Sequence, residues 1–123
     1  MPYADADFFL AILKPEDWLK EKALLLYHKY KGSIWTSDWT VIEILLIIKK
    51  FGIDPERLAI DIFSISKVEG VERDIIISIA HLMKTYNLGV FDALHAVSCG
   101  HNKIISSDSV FDKIGLERIK LED

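Results

Sequence analysis

Carboxylates are the groups in this chain whose type and placement suit chemistry. Asp and Glu make up 19 of the 123 residues, so an isolated acid signifies little. Asp5, Glu43, Asp92 and Asp108 stand out because they fall on separate stretches with unusual surroundings. Asp5 lies between Ala4 and Ala6, Glu43 between Ile42 and Ile44, and Asp92 between Phe91 and Ala93. Asp108 follows Ile104-Ile105-Ser106-Ser107. Burying an unpaired carboxylate is costly, so Glu43, in the most apolar stretch of the chain, needs a cation, a hydrogen-bond partner or a route to water. If the four converge, they repel one another and some of their pKa values rise. A hard divalent cation relieves that repulsion through oxygen ligands. No compact His/Cys set competes for zinc.

Each acid also has an ordinary reading. Asp5 and Asp108 suit turns or caps, and Asp92 suits the cap of its helix. Glu43 fits the exposed stripe of an amphipathic helix, aligned with Lys50 two turns on. Asp7 reads as a first-turn helix residue.

Positioning such a set requires alternating strands and helices. A short strand is expected at Pro2–Ala4, with proline tolerable as its first residue. A helix follows over Phe8–Leu13. Pro15 suits the first turn of a second helix running to Tyr30, with Glu16 and Asp17 favoured there by the helix dipole. Ser33–Thr36 is β-prone. Ser37 resembles an N-cap for a helix that runs to Lys50 and stops at Gly52. Asp54-Pro55 opens another helix to about Asp61. Ile62–Ser66 alternates apolar and polar residues and is read as a strand. Helices over Val71–Tyr86 and Phe91–Gly100, a strand at Lys103–Ser106, a short helix at Ser109–Ile114 and a strand at Leu116–Lys120 complete the chain.

This alternation implies βα units. The expected fold is α/β: a three-layer α/β/α arrangement around a mostly parallel five-stranded sheet. In such sheets functional groups collect at the carboxyl ends of strands where strand order reverses. Asp5 closes the first strand and Asp108 follows the fourth, so they share a crevice if those strands are neighbours. The apolar helix Val41–Ile48 fits either a sandwiched position or one side of a dimer interface.

No linker, repeat or low-complexity tract divides residues 1–123, which reads as a single domain. Apolar runs fall well short of the roughly 20 residues needed to cross a bilayer. Met1-Pro2-Tyr3-Ala4-Asp5 has no basic region leading into an apolar stretch, so a cytoplasmic protein with no membrane association is expected. The lone Cys99 has no partner for an internal disulfide and reads as a small packing residue. The formal net charge of −4 argues against broad electrostatic attraction to nucleic acid. It leaves a nuclease open, because a cation site itself consists of carboxylates.

The motifs, taken in order, are similar to those of one family. Asp5-Ala6-Asp7 after a first strand resembles the opening Asp-x-Asn/Asp of PIN domains. Thr36-Ser37-Asp38-Trp39-Thr40-Val41-Ile42-Glu43 resembles the second motif, which ends in its Glu. Gly89-Val90-Phe91-Asp92-Ala93-Leu94-His95-Ala96 resembles the third, and Ile105-Ser106-Ser107-Asp108-Ser109-Val110-Phe111 the fourth. The match is best to VapC-type toxin ribonucleases. Asp7 stands where Asn is common and Ser106 where Thr is common; both exchanges keep an oxygen ligand.

The resemblance implies a metal-dependent endoribonuclease using Mg²⁺ or Mn²⁺ held by Asp5, Glu43, Asp92 and Asp108, with RNA as substrate. Asp7, Ser106 and Asp112 are supporting candidates. Asp112 lies four residues after Asp108, although a solvated helix residue is its plainer reading. Ser106 either orients Asp108 or a water, or is a turn hydroxyl. A homodimer and a partner antitoxin, whose tail covers the crevice, are implied in the same way. His95 could approach phosphate, but a packed or surface histidine is the plainer reading. Lys49, Lys50, Lys67, Arg73, Lys84 and Lys103 form no compact basic path. Trp18, Trp35 and Trp39 read as core or interface aromatics. The alternatives are a degenerate PIN domain that binds RNA or a partner without catalysis, and an Asp-x-Asp phosphatase. The phosphatase pattern usually continues into Gly-Thr, where this chain has Phe8-Phe9.

Overall fold

The computed structural model describes residues 1–70 and 73–122. Strands β1 (Tyr3–Ala4), β2 (Trp35–Ser37), β3 (Lys67–Glu69), β4 (Ile104–Ser106) and β5 (Arg118–Lys120) form one sheet in the order β3-β2-β1-β4-β5. Every pairing is parallel. Strand order reverses between β1 and β4, whose register sets Tyr3 beside Ile104 and Ala4 beside Ile105. The crevice that a parallel sheet opens at such a reversal therefore lies beyond Ala4 and Ser106.

Side-chain alternation along the strands separates two cores. Ala4 and Ile105 face one layer, where Phe8 and Phe9 of α1 (Ala6–Leu13), Ala23 and Leu26 of α2 (Lys20–Lys29), and Leu58 and Ile62 of α4 (Pro55–Ile65) are buried. Ile44 of α3 (Asp38–Ile47) joins them. Tyr3 and Ile104 face the opposite layer, with Ala96 and Cys99 at the end of α6 (Val90–Ser98) and Phe111 of α7 (Val110–Lys113). Helix α5 (Arg73–Tyr86) packs on α6 through Ile79, Ala93 and Leu94. The three-layer α/β/α architecture follows.

Two expectations fail, and the bounds of several other elements shift by one to three residues. Ile62–Ser66 is not a strand: Leu58, Ile62 and Ile65 continue the helical stripe of α4, and Ser66 closes it with its hydroxyl on the Ile62 carbonyl at 2.7 Å. The 3.6-residue period overrode a two-residue alternation too short to decide between them. Strand β3 begins one residue later. The second helix begins at Lys20 rather than Pro15. Residues 14–19 form a turn in which Lys14 pairs with Asp17 at 3.1 Å and Asp17 accepts from the Leu19 amide at 2.8 Å. The Lys20 ammonium caps the end of α1 by donating to the Ile12 and Lys14 carbonyls.

Elsewhere the local signals hold. Asp54 caps α4 by accepting from the Glu56 amide, with Pro55 in the first turn. Helix α3 passes into a 3₁₀ turn, Ile48–Phe51, that stops at Gly52 with φ +67°. The helix expected from Val71 is described from Arg73; residues 71–72 lie outside the described part, as do the Lys49 and Arg73 side chains. Among the described residues no helix is long and apolar enough to cross a membrane.

Candidate functional site

Beyond the carboxyl ends of β1 and β4 lies a depression lined by Asp5, Ala6, Asp7, Leu10, Glu43, Asp92, His95 and Asp108. Five acids brought in by β1, α1, α3, α6 and the loop after β4 therefore share one surface. The space measures about 180 Å³, enough for an ion with several waters at ~30 Å³ each.

Asp5 is the most buried of them, 6% exposed. It ends β1 and caps α1, accepting from the Asp7 amide at 3.2 Å. Burial raises its carboxyl well above the ordinary aspartate range, and the Asp7 and Glu43 carboxylates add to the rise; the Ser106 hydroxyl opposes it. Asp92 sits in the first turn of α6. Its carboxyl is also pushed up, first by burial and next by Asp108; His95 opposes this, and Glu43 and Asp7 contribute further rises. Residues separated by most of the chain thus feel one another's charge.

Asp7 braces the two sides of the strand-order reversal. Its Oδ2 accepts from the Ser107 amide at 2.8 Å and from the hydroxyls of Ser106 and Ser107. Its Oδ1 is buried with no hydrogen-bond partner. Such an oxygen calls for a cation or an ordered water. Ser106 accepts from the Asp108 amide at 3.0 Å, and Asp108 in turn accepts from the Val110 amide at 2.9 Å, which starts α7. The Ser106 hydroxyl thus contacts both Asp7 and the loop that carries Asp108.

Apart from His95, whose two ring nitrogens are engaged by Glu43 and Tyr3, the donors of the depression are carboxylate oxygens, which fit a hard divalent cation. Among the described residues no three His, Cys, Asp or Glu side chains already surround a common point. A cation in the depression would have to draw the carboxylates in or be reached through waters.

Asp112 does not line the depression. It is bound to Arg118 in a two-pronged pair, Nε to Oδ1 at 3.1 Å and Nη2 to Oδ2 at 2.8 Å. The Arg118 hydrogen bond holds the Asp112 carboxyl below its ordinary range. Arg118 also donates to both Glu122 oxygens and to the Ser106 carbonyl, so Asp112 takes part in bracing the end of β4.

His95 is the residue that sequence reasoning undervalued. It is 2% exposed. Its Nε2 lies 2.8 Å from Glu43 Oε1, and its Nδ1 lies 2.7 Å from the Tyr3 hydroxyl. Tyr3 is further linked to Ser37 Oγ at 2.9 Å and Thr40 Oγ1 at 3.2 Å. Burial pushes the Tyr3 phenol up to about 12, so it keeps its proton. The available signal was spacing: His95 lies one turn after Asp92, on the same face of α6.

The match to known sequences decides the family: residues 3–116 fit the PIN domain. This chain belongs to the PIN domain family. Solved structures share the same PIN fold. The sarcin–ricin loop cleaving toxin VapC20 of Mycobacterium tuberculosis superposes with a TM-score of 0.79 at 15% identity, covering 94% of this chain and 96% of that one. A toxin–antitoxin complex from Klebsiella pneumoniae gives 0.78 at 15% identity, covering 100% and 99%. FitAcB from Neisseria gonorrhoeae gives 0.75 at 17% identity, covering 98% of each chain. No curated protein matches the sequence significantly. At such identities the likeness of this PIN domain to the solved structures is one of fold.

Proposed function

We propose that this PIN domain, as a single domain over residues 1–123, is a divalent-metal-dependent endoribonuclease and the toxin of a toxin–antitoxin pair. One observation carries the reading: Asp5, Asp7, Glu43, Asp92 and Asp108 line one depression, and burial together with mutual repulsion raises the Asp5 and Asp92 carboxyls. That arrangement is short of positive charge. Solved proteins of the same fold include a sarcin–ricin loop cleaving toxin and a toxin–antitoxin complex, which supports RNA as substrate and an antitoxin as partner.

In this reading Asp5, Glu43, Asp92 and Asp108 hold Mg²⁺ or Mn²⁺, directly or through water. Bound there, the cation supplies charge neutralisation at the phosphate and lowers the pKa of a water. Asp7 and Ser106 fix the distance between the two strand ends. The carboxylates orient the attacking water, whose oxygen forms the new P–O bond as the bond to the leaving ribose oxygen breaks. The acidic lining of the depression suits a cation-bridged phosphodiester rather than a base, so sequence choice falls to surfaces around it.

A homodimer and an antitoxin contact fit the apolar surface left uncovered. Helix α3 exposes Ile42, Leu45 and Leu46, the last at 71%. Trp39, Ile79, Val90, Phe91 and Leu94 line an apolar groove. Unpaired apolar surface of this kind marks protein contacts.

The test is purified protein with end-labelled RNA, with and without Mn²⁺. Cleavage should require the cation and fall at least a hundredfold, on the order of 3 kcal/mol in barrier, in Asp5→Asn and Asp92→Asn. Cleavage that persists in both variants, or proceeds equally in excess chelator, would refute the reading.

A further inference from the structure

Glu43 has to hold its charge in an apolar helix, and the structure shows what it leans on. Its Oε1 is 2.8 Å from His95 Nε2, and the His95 side chain is 3% exposed against 23% for Glu43. With Glu43 as a carboxylate, which offers no proton, Nε2 carries the hydrogen and donates. The far side of the ring is fixed as well. Nδ1 is 2.7 Å from the Tyr3 hydroxyl, which also contacts the Ser37 and Thr40 hydroxyls. Thr36 extends the group by donating to the Ala4 carbonyl at 2.7 Å and contacting Thr40 at 2.8 Å. Tyr3, Thr36, Ser37, Thr40 and His95 are all buried. A chain of polar groups thus runs from the middle of the sheet, through the imidazole, to one carboxylate at the rim of the depression.

We infer that His95 is a positioning residue: anchored by Tyr3 at Nδ1, it holds Glu43 Oε1 through Nε2–H and leaves the second carboxylate oxygen for the cation. The inference rests on the metal-site reading above. A glutamate side chain on a helix is free to sample several rotamers, and fixing one of them beforehand removes an ordering cost from cation binding. Histidines and carboxylates around metal sites are commonly held in this manner by a further hydrogen-bonding partner. The geometry has an alternative use, simple satisfaction of buried polar atoms in the core. The two differ in what a substitution does to Glu43.

The experiment measures Mn²⁺ affinity of the RNA-free protein by water-proton relaxation, for wild type, His95→Leu, His95→Gln, Glu43→Gln and the double variant H95L/E43Q. His95→Leu should weaken Mn²⁺ binding about tenfold to a hundredfold. His95→Gln, whose amide can still donate to Glu43, should recover most of that loss. In the Glu43→Gln background, His95→Leu should cost nothing further, because the group it positions has gone. A nitrogen-15 spectrum of the metal-free wild type should show His95 protonated at Nε2, which keeps the inference testable if the leucine variant does not fold. A His95 spectrum with hydrogen on Nδ1 alone would overturn it. So would wild-type affinity in His95→Leu, or an equal loss from that change with and without Glu43. Those results leave the metal-site reading standing, whereas a wild type that binds no Mn²⁺ defeats both.

Discussion

Asp5 holds a carboxyl where burial and its neighbours both oppose a charge. It is buried beside two other acids, and its carboxyl titrates well above the ordinary range because burial and the Asp7 and Glu43 charges oppose ionisation. A raised folded-state pKa means that the protonated carboxyl favours the fold. This contribution is fully present below the unfolded value of about 3.9 and is lost as pH rises through the higher folded value. Asp5→Asn keeps the oxygen that caps α1 and discards the charge. In metal-free protein near neutral pH it should therefore raise the Tm by a few degrees, while the wild type closes that gap as the pH is lowered. A calorimetric series across pH, run in chelator, checks this; a lower Tm for the variant throughout would show that no repulsion is stored there. The four acids were visible in the sequence through their apolar or strand-end settings. The Tyr3–His95–Glu43 chain was not, because its hydrogen bonds span 92 and 52 residues of sequence and only the parallel pairing of β1 with β4 and the packing of α6 bring them together.

The short strands and the loop after β4 raise a question of support, since β1 has two residues and β4 three. Arg118, on β5, supplies part of it. Its side chain is 2% exposed, and its guanidinium ties Asp112 of α7, Glu122 and the Ser106 carbonyl together. Truncation to Ala strands these partners and should lower the urea midpoint of unfolding, by less than for a fully enclosed pair because Asp112 is half-exposed. Mn²⁺ affinity should fall with it, because Ser106 and Asp108 lose their brace. Unchanged stability would show that the network is only surface decoration. The element pattern was largely legible in the sequence, from the Pro-and-Asp start of α4 to the Gly52 stop. Where it misled, at Ile62–Ser66 and Pro15, a five-residue alternation and a turn proline each admitted two local structures, and tertiary packing chose between them.

At the scale of the whole molecule, a net charge of −4 and the lack of a compact basic run in the sequence would leave the proposed RNA binding to the proposed cation site and to whatever the apolar surface recruits. Ile42, Leu45 and Leu46 lie exposed on a helix whose other side, through Val41, Ile44 and Ile48, enters the core. Sequence alone could not separate a sandwiched helix from an interface helix, because both are apolar all round. Leu46→Glu should convert the proposed dimer to monomer in light scattering while the monomer fold is retained; a wild type that is monomeric at all concentrations would remove the dimer from the account. The central claim is narrower: acids far apart in sequence share a cation. A crystal grown with Mn²⁺ and measured for anomalous scattering tests it most directly. The account predicts a peak in the depression within ligand or water-bridged reach of Asp5, Glu43, Asp92 and Asp108. Saturating Mn²⁺ with no peak there, or a peak held by other residues, would contradict it.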